Sequence, residues 1–398
     1  MSKHRDQIWP IAEQNQGTGL PLEGIRILDF SQVLAAPLAT MIAADLGADV
    51  IKVEPPHGDL VRGLMPPSVD GVSTYYLSVN RNCRSIVADL STEAGHELVS
   101  ALMSCADAVV ENYLPSRAAE FGIDTLKAHY EAVVWVTVAP AALGGPLADE
   151  PSFDLLAQAR SGLMGVTGSM ESGPLKVGAP LADVVTGLYA CIGLITGLYR
   201  KLKEGGGPGL NVEAPLLEST IASLINQATG YLATQEAPQL LGNDHPSIAP
   251  YGTYGTKDLN ILVAVATDRQ FKSLAAGLGS DALAGDPRFA TNADRVANRA
   301  ALRELLESIL ITESSATWFA RLSAHEVPCS PVSDIASALS QDQIKNGDLI
   351  AEVTLESGRS VPMVSSPLRL DGVRPRIRSA PPTLGQHTDE FIERVQEP

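Results

Sequence analysis

Residues 26–54, RILDFSQVLAAPLATMIAADLGADVIKVE, constrain the fold of this chain more than any other stretch. A β-rich run, IRILDF, is followed by a turn, a helical pattern over 37–46 and a second β-rich run, DVIKVE. Apolar residues in the helix recur at helical spacing, with Pro37 near its start and Gly47 just past its end. The segment therefore predicts a βαβ unit, which joins two parallel strands.

The same alternation continues along the first half of the chain, in SIVADL, a helix over 92–103, DAVVEN and VVWVTVA. It predicts an α/β fold with a mostly parallel sheet. From Pro246 the pattern changes to an antiparallel-looking pair, YGTYGTKDLNILVAVAT, and then to charged amphipathic helices. We predict a large domain over 1–215, a linker helix with a small α+β domain over 216–328, and a return of 329–398 to the large domain.

The turn after the first strand, FSQVLAAP, contains no glycine. Dinucleotide-binding folds place G-x-G-x-x-G here, because glycine lets the backbone approach a pyrophosphate at the helix N-terminus. The turn therefore argues against a nicotinamide or flavin oxidoreductase. The sequence also lacks G-x-x-x-x-G-K-[ST], G-x-S-x-G and H-E-x-x-H, which argues against P-loop, serine-hydrolase and zinc-protease chemistry.

Composition excludes further classes of protein. The formal net charge of −17 argues against nucleic-acid binding, which needs clustered Lys and Arg. Four dispersed cysteines without metal-ligand spacing predict no metal site and a reducing, cytoplasmic location. The N-terminus lacks an apolar signal region, and we expect an untargeted arm there. The apolar stretch PLADVVTGLYACIGLITGLY contains Asp183, and the roughly 16 apolar-dominated residues after it are fewer than the roughly 20 that a bilayer needs, so it predicts a buried core helix rather than a membrane span.

Asp154, in PSFDLLAQARSGLMGVTG, is the candidate catalytic residue. A carboxylate at a helix start among small and apolar residues can act as a nucleophile or general base in a partly dry pocket. The alternative is that Asp154 only caps the helix that follows it.

Other candidates follow predicted strands, where ligands collect in open α/β sheets. Arg62 lies shortly after the second strand, and Asn112, Tyr113 and Arg117 lie at the carboxyl end of another. A surface arginine and a polar turn are the ordinary interpretations of these residues. His245 is a loop histidine that could contact substrate, although such residues are more often bystanders.

Together these stretches resemble the class III CoA-transferase family, which also contains α-methylacyl-CoA racemase. The resemblance is carried in family order by the following segments: GIRILDFSQVLAAPLATMIAADLGADVIKVEPPHGDLVRG, NRNCRSIVADLSTEAGHELV, ADAVVENYLPS, FDLLAQARSGLMGVTG, GNDHPSIAPYGTY, DPRFATNADRVANRAALRELL, VPCSPV and APPTLGQHTDEF. It implies a Rossmann-like large domain, a smaller α+β domain and an interlocked homodimer.

The resemblance also implies site residues. Asp154 takes the position of the catalytic aspartate, Arg62 pairs with a phosphate of coenzyme A, and Arg117 substitutes for a family arginine that is Glu120 here. The remaining implied contacts with coenzyme A are Val33, Ala35, Ala88, Asn112 and Tyr113.

The implied reaction moves CoA from an acyl-CoA to a carboxylic acid through an aspartyl anhydride and an aspartyl-CoA thioester, with backbone N–H groups of SGLMG stabilising the oxyanions. Acyl-CoA is a substrate, and no tightly bound cofactor is implied. The alternative within the family is racemisation next to the thioester by a His–Asp pair. Phe153 stands where racemases carry the histidine directly before the aspartate, which favours the transferase.

Overall fold

The computed structural model describes residues 2–396, which form two compact units. Unit 1 consists of the chain up to Leu163, Val177–Gln235 and the chain from Gln343 onward. Unit 2 consists of Met164–Lys176 and Glu236–Asp342.

A six-stranded parallel sheet forms the centre of unit 1, as the alternating pattern predicts. Its order is β3-β2-β1-β4-β5-β6, so the direction of winding reverses between β1 and β4. Ligands of open α/β sheets bind outside the carboxyl ends of the strands at such a reversal. The strands are β1 (Arg26–Asp29), β2 (Asp49–Glu54), β3 (Cys83–Val87), β4 (Ala108–Glu111), β5 (Val134–Thr137) and β6 (Asn211–Glu213).

Helices cover both faces of this sheet, and its strands β1, β2, β4 and β5 are accordingly buried at every residue. One face packs against α2 and α8, and the other against α4, α6 and the terminal helices α1 and α18. The helices of unit 1 are α1 (Ser2–Ile8), α2 (Ala35–Asp45), α3 (Thr74–Val79), α4 (Glu93–Met103), α5 (Pro115–Glu120), α6 (Ile123–His129), α7 (Asp154–Arg160), α8 (Leu181–Lys203), α9 (Leu216–Ser223), α10 (Ile225–Thr234) and, after unit 2, α18 (Thr388–Gln396).

Helix α8 is apolar on two sides. One side, which includes Ala190 and Leu194, is buried against the sheet, as predicted for a core helix. Within residues 2–396, α8 is one helix long and apolar enough to cross a membrane, a test that core helices also pass. Its other side exposes a stripe at helical spacing, formed by Leu188, Ile192, Ile195, Tyr199 and Leu202.

The N-terminal segment, predicted as an untargeted arm, packs on unit 1. Trp9, just after α1, is fully buried, and its indole N–H donates to the Asp49 carboxylate at 3.1 Å. The same carboxylate pairs with the buried Arg84 at 2.6 Å. Burial of a large aromatic ring with a satisfied N–H fixes this segment to unit 1.

Unit 2 contains a three-stranded antiparallel sheet, which includes the predicted pair. Its strands are β7 (Tyr251–Gly255), β8 (Asn260–Ala264) and β9 (Cys329–Pro331). Its helices are α11 (Asp268–Leu278), α12 (Asp281–Gly285), α13 (Asn292–Ala297), α14 (Arg299–Leu310), α15 (Ser315–Ala324) and α16 (Ile335–Leu339), and α17 (Asp342–Lys345) begins at its last residue.

The division between the units differs from the predicted boundaries at 215 and 328. Helices α9 and α10 belong to unit 1, where α9 packs on α7 and α8. Strand β9 pairs with β8, which keeps the chain in unit 2 beyond 328. The chain then returns to unit 1 as a hairpin of β10 (Ile350–Thr354) and β11 (Ser360–Val364).

Candidate active site

A cavity of about 820 Å³ opens at the carboxyl ends of the unit 1 strands. Pockets of about 300–1,000 Å³ hold cofactors and other small molecules. The segments after β1, β2, β3, β4 and β5 all contribute to its wall. Its lining includes Gln32, Val33, Leu34, Ala35, His57, Ala88, Asp89, Asn112, Tyr113, Arg117, Phe153 and Asp183.

The turn after β1 explains how the chain does without glycine. Val33 adopts φ 72°, a left-handed conformation that β-branched residues rarely take. The Val33 N–H donates to Asp59 at 3.1 Å, and the Gln32 N–H donates to the Asn112 side chain at 3.0 Å. Because the protein's own side chains occupy these N–H groups, this turn is not arranged to bind a pyrophosphate.

Six of the predicted ligand contacts lie together on the cavity wall. They are Val33, Ala35, Ala88, Asn112, Tyr113 and Arg117. Tyr113 packs edge-on against Phe121 at 5.5 Å between ring centroids, and Arg117 forms an exposed pair with Glu120. Contact of each residue with CoA stays a prediction, but the shared wall is a structural fact.

Arg62 differs from the other candidates because it is not on the cavity wall described above. Its guanidinium donates to Glu54 at 2.6 and 2.7 Å and to the Tyr76 hydroxyl at 2.6 Å. Burial opposes the charge of Glu54, but hydrogen bonding to Arg62 and the nearby Lys52 lower the pKa of that carboxyl. Pairing of Arg62 with a phosphate remains a prediction, and it would compete with this ion pair.

A buried lysine beneath the turn was not found by sequence reasoning. The Lys52 ammonium lies 2.9 Å from Asp59 and donates to the Ser31 carbonyl at 2.8 Å. Although burial opposes its charge, Asp29 and Asp59 raise the pKa of Lys52. Lys52 thus holds Asp59, which in turn holds the Val33 N–H. The only signal for Lys52 in the sequence was a charged residue flanked by apolar residues within a strand. A charged side chain that is buried in such a strand needs a partner.

Asp154 is the first residue of α7, and its carboxylate does not cap its own helix. One oxygen accepts the N–H groups of Ala182 and Asp183, at 2.8 and 3.4 Å, at the start of α8. The other accepts the side-chain amide of Gln158 at 2.6 Å. The carboxylate is thus oriented at a helix N-terminus, where negative charge is stabilised. It lies at the edge of the cavity, since its neighbours Ser152 and Phe153 line the wall.

Asp183 brings a second carboxyl group to this place. Its side chain lines the cavity and is only 8% exposed. Burial and the charge of Asp154 raise the pKa of Asp183 to about 7. The same two aspartates, after burial, contribute to raising the pKa of the half-buried Tyr75 phenol to about 12. The sequence places Asp183 in an apolar helix but does not show which group its side chain approaches.

The histidines and Cys329 lie elsewhere. His129 ends α6 and packs edge-on against Tyr130, outside the cavity lining. His245 belongs to unit 2, where its Nδ1 accepts the Ser247 N–H at 3.1 Å. Cys329 lies in β9, and burial raises the pKa of its thiol. Across residues 2–396, no group of three or more His, Cys, Asp or Glu side chains is placed to hold a metal ion.

Comparison with known proteins gives a family and several relatives. A family model described as CoA-transferase family III matches residues 22–388. The chain is 33% identical to the succinate–glutarate CoA-transferase of Agrobacterium fabrum, over 94% of this chain and 96% of that protein. It is 34% identical to the human succinyl-CoA:glutarate CoA-transferase, over 94% of this chain and 86% of that protein. A crystal structure of a CAIB/BAIF family protein from Brucella suis superposes with a TM-score of 0.85 at 34% identity, covering 95% of this chain and all of that one.

Proposed function

The chain belongs to CoA-transferase family III, and from this premise we propose that it moves CoA from a dicarboxylic acyl-CoA to a carboxylic acid through covalent intermediates on Asp154. The observation that carries the proposal is the placement of Asp154. Its carboxylate is oriented by the start of α8 at the edge of a cavity formed by the carboxyl ends of the parallel strands. Such a carboxylate can act as a nucleophile toward a thioester.

The proposed reaction proceeds in balanced steps. An Asp154 oxygen attacks the donor thioester, the C–S bond breaks, and a mixed anhydride and CoA thiolate result. The thiolate attacks the aspartyl carbonyl, which releases the donor acid and leaves an aspartyl-CoA thioester. The acceptor carboxylate then displaces CoA from Asp154, and CoA finally attacks the acceptor carbonyl of the second anhydride. Free Asp154 and the new acyl-CoA are the products.

The start of α8 supports the steps in which the aspartyl carbonyl itself is attacked. In the free enzyme the N–H groups of Ala182 and Asp183 reach one Asp154 oxygen. The same donors are available when that oxygen becomes an oxyanion, and one such donor is typically worth about 3–4 kcal/mol of barrier. The predicted contribution of the SGLMG segment stays a separate hypothesis.

The relatives' names suggest the substrate class. They include transferases named for succinate and glutarate, for mesaconate and for oxalate. All of these acids carry two carboxyl groups, so we propose a small dicarboxylic acid as donor acyl group, acceptor or both. Acyl-CoA is a substrate in this scheme, and we propose no tightly bound cofactor.

We also propose that the enzyme is a cytoplasmic homodimer with a Rossmann-like CoA-binding domain. The cysteines are free thiols in the structure, Cys83, Cys105 and Cys191 being buried, which suits a reducing compartment. The exposed stripe of α8 is the structural observation that supports a dimer. A helix that is apolar all round is normally buried all round, and in one chain only one side of α8 is covered.

Chemical trapping tests the proposed function. The protein is incubated with succinyl-CoA, treated with hydroxylamine or borohydride, digested and analysed by mass spectrometry. The modification is expected on Asp154, and Asp154→Asn should lose it together with turnover. Asn keeps an oxygen that can accept the Ala182 N–H, so the variant should still fold and bind CoA. A wild-type protein that turns over without any adduct on Asp154 would contradict the proposal.

Exchange of solvent deuterium separates the transferase from the racemase alternative. Incorporation next to the thioester of a 2-methylacyl-CoA, without any acceptor acid, would indicate racemisation. We expect no incorporation, because Phe153 precedes the aspartate and His129 lies outside the cavity lining. An acceptor panel of succinate, glutarate, mesaconate, malate and oxalate, analysed by mass spectrometry, identifies the substrate.

A further inference from the structure

Asp183 lies beside the proposed nucleophile but has no role in the reaction described so far. Its backbone N–H contacts the Asp154 carboxylate at 3.4 Å, and its side chain faces the cavity. Within residues 2–396, the Asp183 carboxyl receives no hydrogen bond and forms no ion pair, although it is only 8% exposed. A buried carboxyl without a partner is costly as a carboxylate, so the neutral acid is favoured.

The charged and titratable groups around Asp183 come from the elements packed on the start of α8. Asp154 in α7 raises its proton affinity, and the Tyr75 phenol in α3 is neutral at physiological pH. Two other charged groups on these elements are engaged elsewhere. Arg160 in α7 pairs with Glu150, and Glu218 in α9 accepts the Ala142 N–H. Among the residues that the structure describes, Asp183 therefore faces an anion with no compensating cation.

We propose that Asp183 is the general acid and base that protonates the CoA sulfur when the thioester is cleaved and deprotonates the thiol when CoA attacks again. This inference rests on the proposed acylation of Asp154. The geometry that carries it is a buried, unpartnered carboxyl on the cavity wall, adjacent to the residue at which the C–S bond breaks.

The proton and charge balance follows directly. At the start Asp154 is a carboxylate and Asp183 an acid. Asp154 attacks, the C–S electron pair goes to sulfur, and sulfur takes the Asp183 proton, which leaves an anhydride, a thiol and an Asp183 carboxylate. When the thiol returns, Asp183 takes its proton back, sulfur bonds to the aspartyl carbon, and the donor acid leaves as a carboxylate. The same exchange serves the acceptor half of the cycle.

The electrostatic consequence is that the pair of Asp154 and Asp183 carries a single negative charge throughout the acylation step. The charge is on Asp154 before acylation and on Asp183 after it. Acylation removes the charge of Asp154, and this lowers the proton affinity of Asp183 at the moment when sulfur needs the proton. The free thiolate of the unassisted reaction described above, which would be a second anion in a partly dry site, is thereby replaced by a neutral thiol. Matched proton affinities of acid and leaving group favour such transfer.

The test measures how fast the hydroxylamine-sensitive adduct on Asp154 forms from succinyl-CoA in rapid-quench experiments. Asp183→Asn is expected to slow this step by about 10²–10⁴-fold, the usual range for general acid catalysis, with KM for the acyl-CoA changed only a few-fold. Asp183→Glu should recover part of the rate. The matched control is Asp124→Asn, which removes an exposed carboxyl from the first turn of α6 and should behave as wild type.

A change of leaving group separates proton donation from structural support. The succinyl thioester of an acidic arenethiol releases a thiolate that needs no proton, so Asp183→Asn and wild type should acylate at similar rates with it. Equal slowing with both thioesters would overturn the proposal. In wild type the acylation rate from succinyl-CoA should also fall as pH rises through the titration of Asp183, and a flat profile would overturn it.

The two proposals fail in different ways. If wild type forms the adduct on Asp154 and Asp183→Asn forms it within about threefold of the same rate, only the role of Asp183 is wrong. If wild type forms no adduct while it turns over, the covalent function and the role of Asp183 are both wrong.

Discussion

At the scale of single residues, Val33 stores strain in the turn where other nucleotide-binding folds place glycine. Its φ of 72° is held because Asp59 accepts its N–H, and the buried Lys52 holds Asp59. An L-residue in the left-handed region costs roughly 1–2 kcal/mol. Strain of this kind is maintained by the surrounding structure and is common at ligand sites.

This strain predicts an unusual order of stability between two variants. Val33→Gly and Val33→Ala both lose the valine side chain, but only glycine accepts φ 72° without cost. We expect Val33→Gly to be more stable than Val33→Ala by about 1 kcal/mol, measured as denaturant midpoints under identical conditions. Ala39, in the middle of α2, is the control position, where glycine should be less stable than alanine. If Val33→Ala were the more stable variant, strain at this turn would be refuted.

Asp183 predicts a pH-dependent stability that is independent of catalysis. Its pKa rises from 3.8 to about 7 on folding, so the folded chain binds the extra proton between these values. Stability is therefore lost as pH rises through this window. Above it, the ionised Asp183 lowers the free energy of unfolding by up to about 4 kcal/mol, since each tenfold change in proton affinity corresponds to roughly 1.4 kcal/mol. Asp183→Asn removes the penalty.

The thermal midpoint of Asp183→Asn relative to wild type should therefore rise between about pH 4 and pH 7 and stay constant at higher pH. The measurement is a thermal melt of both proteins at each pH, with Asp124→Asn as the reference for loss of a first-turn carboxyl. A constant difference between Asp183→Asn and wild type across this range would show that the Asp183 proton does not contribute to stability.

At the scale of secondary-structure elements, the start of α8 is positioned by its packing on α2. A Cβ on Gly187 would approach the Ala35 carbonyl oxygen to 2.5 Å and Leu38 to 3.0 Å. A backbone atom cannot yield as a side chain can, so the two helices touch here only because Gly187 has no side chain. The contact links the turn that holds Val33 to the helix that presents Asp183.

Gly187→Ala should destabilise the protein by about 1–3 kcal/mol, as overpacking usually does, and should reduce acylation of Asp154 because the first turn of α8 is displaced. Melting curves and the trapping assay measure the two effects. The control is Gly285, a helical glycine of α12, because a Cβ added there would have no atom within 4 Å. Gly285→Ala should be near neutral, and an equally mild effect at Gly187 would contradict close packing of the two helices.

The elements also show what the sequence could and could not reveal. Strand and helix patterns predicted the parallel sheet, and the carboxyl ends of parallel strands meet at one edge, so Asn112 and Tyr113 could be placed there, whereas Val33 was placed there only by the family resemblance. The contact between Asp154 and α8 could not be predicted, because the chain passes through unit 2 between them. Hydrophobic periodicity carries no information on a contact between two segments that are separated by part of another unit.

Two other sites were beyond pattern reasoning for different reasons. The family resemblance implies that Arg62 pairs with a phosphate, yet Glu54 at the end of β2 already binds it. Spacing gives the position of a cation but not the competition for it. The lack of a signal region predicts that Trp9 belongs to an arm, whereas its burial depends on Asp49 and Arg84, which are distant in the chain.

At the scale of the whole molecule, charge and apolar surface act in opposite directions. Each chain carries a formal charge of −17, which repels a second copy. The stripe on α8 offers apolar area to offset that repulsion, and Ile192 and Tyr199 are 59% and 63% exposed. Burial of apolar area gives about 25 cal/mol per Å², and a stable interface buries at least about 1,200 Å² in total.

We therefore expect a homodimer that contains the α8 stripe in its interface. Light scattering after size-exclusion chromatography should give about twice the 41.9 kDa of one chain, and the double variant Ile192→Glu with Tyr199→Glu should give the mass of one chain. Ile335→Glu, at a still more exposed apolar residue of unit 2, should leave the dimer intact. Because like charges are screened by salt, the dimer should dissociate more readily at low ionic strength. A double variant that stays dimeric would place the interface elsewhere and leave the exposed stripe without a partner.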